Sequence, residues 1–491
     1  MSFTLQIVLF SSLPLFLICL TWKLYFSSSK SHKNLPPSPP KLPLIGNLHQ
    51  LGSSPHRALQ SMAQTYGSLM LLHFGTVPVI VASSVDAARE IMKTHDIIFS
   101  NRPFSNIASR IFYGSKDIAF APYGEYWRQV KSISILHLFS NKRVESFRQV
   151  REDEVARMIE KIQKANNSVV DLSELLVSLT NNVVSRVALG RTYEGMEVKN
   201  MLDRMVQLMA GFSMGNYIPS LEWVDRLSGL HRKADDLAKE IDEFCEGVVE
   251  AHLNKKDFGV EGQDLVDVLL EIQRDNSTGF RLERHMIKAI ILDIFSGGTD
   301  TTSTTLQWAI TELLRNPRAM KELQQEAREI GQGRSLIPEE DLDKMPYLKA
   351  VIKEAFRLHI PAPLLVPRES TKDVKLLGYD IASGTQVVVN AWAIARDPSV
   401  WEEPEEFRPE RFLNNPIDYK GFHFELIPFG AGRRGCPGIN FATVINELAL
   451  ANLVYKFDFA LSGEKAFDMT ESYGITVHRK YPILVTATSY K

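Results

Sequence analysis

The sequence predicts a mainly α-helical protein with a smaller β-rich part, preceded by one N-terminal transmembrane helix. Three observations carry that expectation. Apolar residues recur at helical spacing through most of Val144 to Lys256 and again from Leu282 to Arg315, where Asn316-Pro317 ends the run. Strand signals are few and short: Leu71-Leu72-His73-Phe74 and Val77-Pro78-Val79-Ile80-Val81 flank Gly75 and Thr76, and Thr385-Gln386-Val387-Val388-Val389 follows far downstream. Phe3 to Leu20 is almost continuously apolar, close to the ~20 residues that span a bilayer.

Within 491 residues, 44% hydrophobic, no internal repeat or long low-complexity linker divides the chain. One large domain at 44–491 is therefore expected behind an anchor at 1–26 and a basic, proline-rich hinge at 27–43. No Lys or Arg precedes the apolar run, whereas Lys23, Lys30, Lys33 and Lys41 follow it, which puts the body in the cytosol. A cleaved signal peptide is the rival, but it lacks a basic n-region here. On this topology the sequons Asn166-Asn167-Ser168 and Asn276-Ser277-Thr278 stay unmodified. Leu35 to Pro43 is dense enough in proline to form a stiff polyproline II spacer. The net charge of −2 argues against nucleic-acid binding, and three cysteines, Cys19, Cys245 and Cys436, are too few for a disulfide framework. Leu69 to Ser84 is expected as two strands, Asp86 to His95 as a helix, and Phe104 to Ala121 as an irregular loop.

Chemistry concentrates at Pro428-Phe-Gly-Ala-Gly-Arg-Arg-Gly-Cys-Pro-Gly438. Gly430, Gly432 and Gly435 let the backbone turn tightly. The loop then delivers Cys436 to the start of a helix running through Phe441, Ile445, Leu448 and Leu453, with Pro437 at its first position. A thiolate there would face free backbone N–H groups and the positive helix end, both of which lower a cysteine pKa. Arg434 is placed for an anionic group. A buried structural cysteine beside an ordinary turn is the bland alternative. It leaves unexplained why Phe429, Gly432, Arg434, Cys436 and Gly438 fall at the spacing F-x-x-G-x-R-x-C-x-G.

The long helix contains Gly297-Gly298-Thr299-Asp300-Thr301-Thr302. Each interior glycine costs about 1 kcal/mol against alanine. Absent side chains would open a groove where a flat cofactor and dioxygen approach the backbone. Thr301 can bend the helix or relay a hydroxyl hydrogen bond, and Asp300 can pass protons from solvent. An accidental kink is the alternative, and it does not account for the acid–alcohol pair. Glu354 and Arg357, three apart on another helix, share a face and can pair.

The cysteine stretch closely resembles the haem-thiolate loop of the cytochromes P450, and the resemblance continues in order along the whole chain after the anchor. It implies a mainly helical haem-thiolate domain with a smaller β-rich lobe toward the N-terminus, and haem b held by Cys436 as axial iron ligand. Asp300 and Thr301 match the family's oxygen-activation motif throughout. Arg411, in Pro409-Glu410-Arg411-Phe412, joins Glu354 and Arg357 in a buried structural ion network. Trp127 and Lys131 stand where the family has W-x-x-x-R. Lysine keeps the charge and loses the bidentate fork, so a propionate ligand and a solvated surface lysine are both open readings of Lys131. Phe429, Arg434 and Arg368 are further cofactor contacts. Substrate contacts implied or suggested are Phe112, Tyr113, Ile118, Phe212, Gly298, Ala362, Leu365 and Tyr473, the last in a turn at Ser472 to Ile475.

The chain resembles plant A-type members of the 71 clan, which implies a single-pass endoplasmic reticulum enzyme fed with NADPH electrons by a reductase. Arg128, Lys131, Lys142, Arg143 and Arg433 form a candidate docking face for that partner, with an ordinary solvated surface as the alternative. Leu179 to Gly190 and Tyr217 to Trp223 look most like oxidases of monoterpene indole alkaloids. Terpenoid and furanocoumarin oxidation are the alternatives, and the outcome is open among hydroxylation, desaturation, aromatisation and ring closure. Two rival classes are a reductase-independent haem-thiolate isomerase or lyase, which needs no proton relay, and a non-enzymatic haem sensor or electron carrier.

Overall fold

The computed structural model describes residues 34–165, 167–193, 196–254, 263–275, 280–463 and 468–490. The expected anchor, hinge residues 27–33 and the sequon residues Asn166 and Asn276 lie outside the described residues. Among the described residues no helix is long and apolar enough to cross a membrane.

The expected hairpin forms from β1 (Leu69–Phe74) and β2 (Val77–Ala82). Its turn needs Gly75: φ is +63°, and a Cβ there would meet the Tyr217 carbonyl oxygen at 2.3 Å. The sheet is completed by β3 (Arg368–Glu369) and β4 (Gln386–Val389), in the order β1-β2-β4-β3. β2 and β4 are parallel, with Val79 opposite Gln386. The strand expected within Thr385 to Val389 thus joins the N-terminal hairpin in one sheet. A parallel pair needs a long crossover, and here the crossover is most of the helical body, every helix from Asn106 to Leu358. Described hinge residues do not stand free either. Pro36 and Pro39, one polyproline turn apart, are buried, and the Pro37 carbonyl accepts the Leu71 N–H at 2.9 Å.

The helices that set the site are α1 (Asn106–Ile111), α2 (Glu125–Ile133), α3 (Leu172–Leu189) and α4 (Met196–Ala210). They are followed by α5 (Leu230–Leu253), α6 (Arg284–Arg315), α7 (Pro346–Leu358) and α8 (Ile439–Lys456). α6 is buried on nearly every side, as expected of a central helix, and packs against α3, α5, α7 and α8. Glu283 caps its start, and Asn316 before Pro317 ends it. Asp86 to His95 is helical as expected, a short α-helix running into a π-helical turn. α1 lies inside the stretch expected to be irregular; Ser105 caps it by accepting the Ala108 N–H. Near the C-terminus, β5 (Glu471–Tyr473) and β6 (Val477–Arg479) form a hairpin, and β6 lies against α6.

Candidate active site

The cysteine loop is closed by the Cys436 N–H donating to the Phe429 carbonyl at 3.0 Å. Gly430 and Gly432 both take positive φ, and a Cβ at Gly432 would strike the Met92 carbonyl oxygen at 2.2 Å. α8 begins at Ile439 with Gly438 as its cap, so Pro437 precedes the helix rather than opening it. The Cys436 side chain presents free surface although protein surrounds it. Burial pushes its thiol pKa up, opposed by the Gly438 N–H and the Lys131 charge. Of the lowering influences expected from the sequence, a backbone N–H is present, and burial outweighs it.

Four buried cations gather beside this loop. Arg434 donates to the carbonyls of Ser100 at 2.7 Å and Ala121 at 2.6 Å. Arg102 donates to Ala119, Val366 and Pro367 at 2.7–2.8 Å. Arg368 pairs with Asp96 at 3.2 Å and reaches the Ala431 carbonyl, while the Lys131 ammonium donates to Gly435. Among the described residues no carboxylate forms an ion pair with Arg102, Arg434 or Lys131. Burial and the Arg368 charge lower Arg434 to about 9. Burial lowers Lys131 to about 8, with Arg434 and Arg102 adding to the effect. This unmatched positive charge beside a thiol fits a haem whose propionates supply the missing anions.

On α6 the two expected glycines behave differently. A Cβ at Gly297 would meet nothing within 4 Å, whereas one at Gly298 would lie 3.1 Å from Val184 Cγ2 on α3. Gly297 leaves space open, and Gly298 admits a neighbouring helix. The Thr301 hydroxyl donates to the Gly297 carbonyl at 2.7 Å, so it is tied into the helix beside the groove.

A match to the Cytochrome P450 family covers residues 36–486. This chain belongs to the cytochrome P450 family. The chain is 56% identical to a 3-beta-hydroxylase of Tanacetum parthenium, covering 99% of each chain. It is 52% identical to the norfluorocurarine oxidase of a Strychnos species, covering 100% of this chain and 99% of the relative. A zebra fish cytochrome P450 solved with progesterone superposes with a TM-score of 0.76 at 27% identity, over 89% of this chain and 99% of that one. The relatives are those of the plant 71 clan; this cytochrome P450 is accordingly an oxidoreductase with a haem cofactor.

The ion network of this P450 is complete. Arg357 forks onto both Glu354 oxygens, Arg411 donates to Glu354 at 2.9 Å, and the Arg408 N–H adds a third donor. Arg102 was not evident from the sequence, since nothing beside Asn101-Arg102-Pro103 marks it. The same holds for Asp117 and Asp293. Their carboxylates accept the N–H groups of Phe120 and Ile118 and pin the loop below the cations.

Several expected contacts lie elsewhere. The Trp127 indole N–H is spent on the Ile118 carbonyl at 2.9 Å, and its ring lies 4.1 Å beneath the Arg434 guanidinium. Trp127 therefore supports the cation cluster rather than donating to a propionate. Lys131 is buried, which removes it from the proposed docking face, and Arg433 on that face pairs with Asp96 at 2.8 Å. Phe112 is packed into the main core against Phe120 rather than presenting its ring to open space. Ile118 is also buried. Phe212 is exposed and stacked on Tyr217. Tyr473 turns toward His56, with its hydroxyl donating to Glu471 at 2.9 Å, so that group is not held out for substrate. Ala362 and Leu365 are half-buried, and Leu365 Cδ1 reaches to within 4.0 Å of the Cβ direction of Gly430.

Proposed function

We propose that this chain is a membrane-anchored monooxygenase that oxidises a hydrophobic plant metabolite with O₂ and NADPH electrons delivered by a flavoprotein reductase. A monoterpene indole alkaloid is the favoured substrate class, supported by the 52% identity to norfluorocurarine oxidase. Hydroxylation is the favoured outcome, supported by the 56% identity to a 3-beta-hydroxylase. The observation that carries the monooxygenase reading is the Cys436 loop beside Lys131, Arg102 and Arg434, buried cations that form no carboxylate ion pair among the described residues.

Haem b bound by Cys436 supplies reductive activation of dioxygen. The protein's own residues do the rest. Arg102, Lys131, Arg368 and Arg434 would hold the propionates, and Phe429 packs against Phe356. Thr301 holds an exchangeable hydroxyl proton at the groove, and Asp300 carries a carboxyl that can replenish it. Half-buried Ala362 and Leu365, the latter reaching toward Gly430 of the cysteine loop, and the α6 backbone at Gly298 would face the substrate and orient the reacting carbon. Glu354, Arg357 and Arg411 keep the cofactor side rigid. The apolar run Phe3 to Leu20 followed by lysines supports a single-pass endoplasmic reticulum protein with a cytosolic body.

The test is a reduced, carbon monoxide-bound spectrum of membranes containing the full chain, followed by titration with alkaloid and terpenoid panels. A thiolate-type spectrum and a spin-state shift with an alkaloid are expected. A spectrum without thiolate ligation from folded protein overturns the monooxygenase reading. Shifts confined to terpenoids overturn only the substrate class.

A further inference from the structure

The Asp300 side chain is 29% exposed, and both of its carboxylate oxygens also meet protein groups. The Thr476 hydroxyl donates to its Oδ2, and His478 Nε2 lies 3.3 Å from its Oδ1. The same Nε2 is 2.6 Å from Thr476 Oγ1, while His478 Nδ1 is 2.7 Å from Thr304 Oγ1 on α6. Thr476 and Thr304 are buried, and His478 keeps 29% of its side chain exposed. Both ring nitrogens are thus held by hydroxyls, one on each side of the imidazole.

We propose that His478, through Thr476, is the positioning residue that orients the Asp300 carboxyl and resupplies it with protons. This rests on the proton-delivery reading of Asp300. A hydroxyl can donate or accept, so the network stays satisfied in either protonation state of the ring. With neutral His478, Thr304 donates to Nδ1; with the imidazolium, Nδ1–H donates to Thr304. A proton arriving at Nδ1 lets Nε2 release its own to Thr476 Oγ1, whose original proton passes to Asp300 Oδ2. One proton enters, one reaches the carboxylate, and no bond other than O–H and N–H changes. Among the described residues His478 is the one ionisable side chain that pairs with Asp300. On β6 the next cation, Arg479, turns instead to Thr311. On α6 the neighbouring Ser303 hydroxyl donates to the Asp300 backbone carbonyl rather than to its carboxylate.

The experiment compares the haem-loaded full chain with His478→Gln, Thr476→Val and Asp300→Asn, each reconstituted with reductase and NADPH. Gln retains an N–H donor without a titratable ring, and Val keeps the shape of Thr while removing its hydroxyl. NADPH consumption against pH, its solvent deuterium isotope effect, and hydrogen peroxide released per NADPH are read. The carbon monoxide spectrum checks that the thiolate is intact. Asp300→Asn is expected to slow proton-dependent turnover by about 10²-fold, the lower end for a general acid. His478→Gln and Thr476→Val are expected to fall between it and the unaltered chain. Both should release more peroxide and show a larger isotope effect, and His478→Gln, which removes the ionisable ring, should change the shape of the pH profile. If Asp300→Asn changes these readouts and both other variants leave them untouched, the relay is overturned and the reading of Asp300 stands. If Asp300→Asn changes none, both fall. Should one of the two variants fail to fold, the other alone decides.

Discussion

The Arg357 guanidinium forks onto both oxygens of Glu354, at 2.7 and 2.8 Å, and neither side chain has any exposed surface. The remaining Arg357 donors reach the carbonyls of Ala395, Pro404 and Glu406. One side chain on α7 thereby ties down three separate points of the irregular stretch leading to the cysteine loop. Removing one partner leaves a buried charge uncompensated, so Arg357→Ala should destabilise the fold by about 3–5 kcal/mol. Thermal unfolding and the haem-to-protein ratio measure this. A variant that melts with the unaltered chain and keeps its haem would remove the structural role.

Gly297 makes a contrasting case, because stability and function should move in opposite directions. Its φ is not in the left-handed region and its Cβ direction is open. Gly297→Ala should therefore raise helix stability by up to about 1 kcal/mol while placing a methyl in the groove. A higher melting temperature with weaker substrate-induced spectral change is the expected pair of results. Gly298→Ala should not share the gain, since Val184 must give way. Unchanged ligand binding in Gly297→Ala would show that the groove lies elsewhere.

The residues that could be read from the sequence are those whose partners are near in the chain. The Glu354–Arg357 pair and the Gly297–Thr301 turn are specified by spacings of three and four, and the cysteine loop closes within seven residues, so local geometry converts each directly into contacts. Arg102 was opaque because its acceptors sit at Ala119, Val366 and Pro367, and only the folded chain brings these together. His478 was missed for the same reason, standing 178 positions after its carboxylate partner. The parallel β2–β4 pairing has no turn chemistry to announce it. Trp127 was placed on the right helix, but which acceptor takes its N–H depends on a loop whose path no periodicity describes.

Asp117 provides a pH-dependent prediction. Burial raises its carboxyl from 3.8 to about 6, against the Phe120 N–H and the charges of Arg102 and Arg434. Between those values the folded state holds more protons than the unfolded one, so stability falls as pH rises through that window. The two units correspond to about 3 kcal/mol. Asp117→Asn keeps an acceptor for the Phe120 N–H and removes the titration. Its melting temperature should match that of the unaltered chain at the acid end of the window and exceed it at the neutral end. Parallel pH profiles for the two proteins would sink the idea.

Lys131 bears on how this chain departs from the family's arginine. Its ammonium donates to the Gly435 carbonyl at 2.5 Å, the residue just before Cys436. The lysine thus braces the cysteine loop as well as adding positive charge beside Arg434 and Arg102. Lys131→Met keeps much of the buried stem and loses both, removing a charged hydrogen bond worth about 1.5–3 kcal/mol. Haem should then transfer faster to an acceptor apoprotein, and the thiolate spectrum should decay sooner on heating. Lys131→Arg restores the charge, but its longer, planar head does not fit the same carbonyl. It should hold haem better than Lys131→Met and worse than lysine. Equal haem retention in all three proteins would mean that the loop is held by its own backbone turn, and Lys131 would lose its role in positioning Cys436.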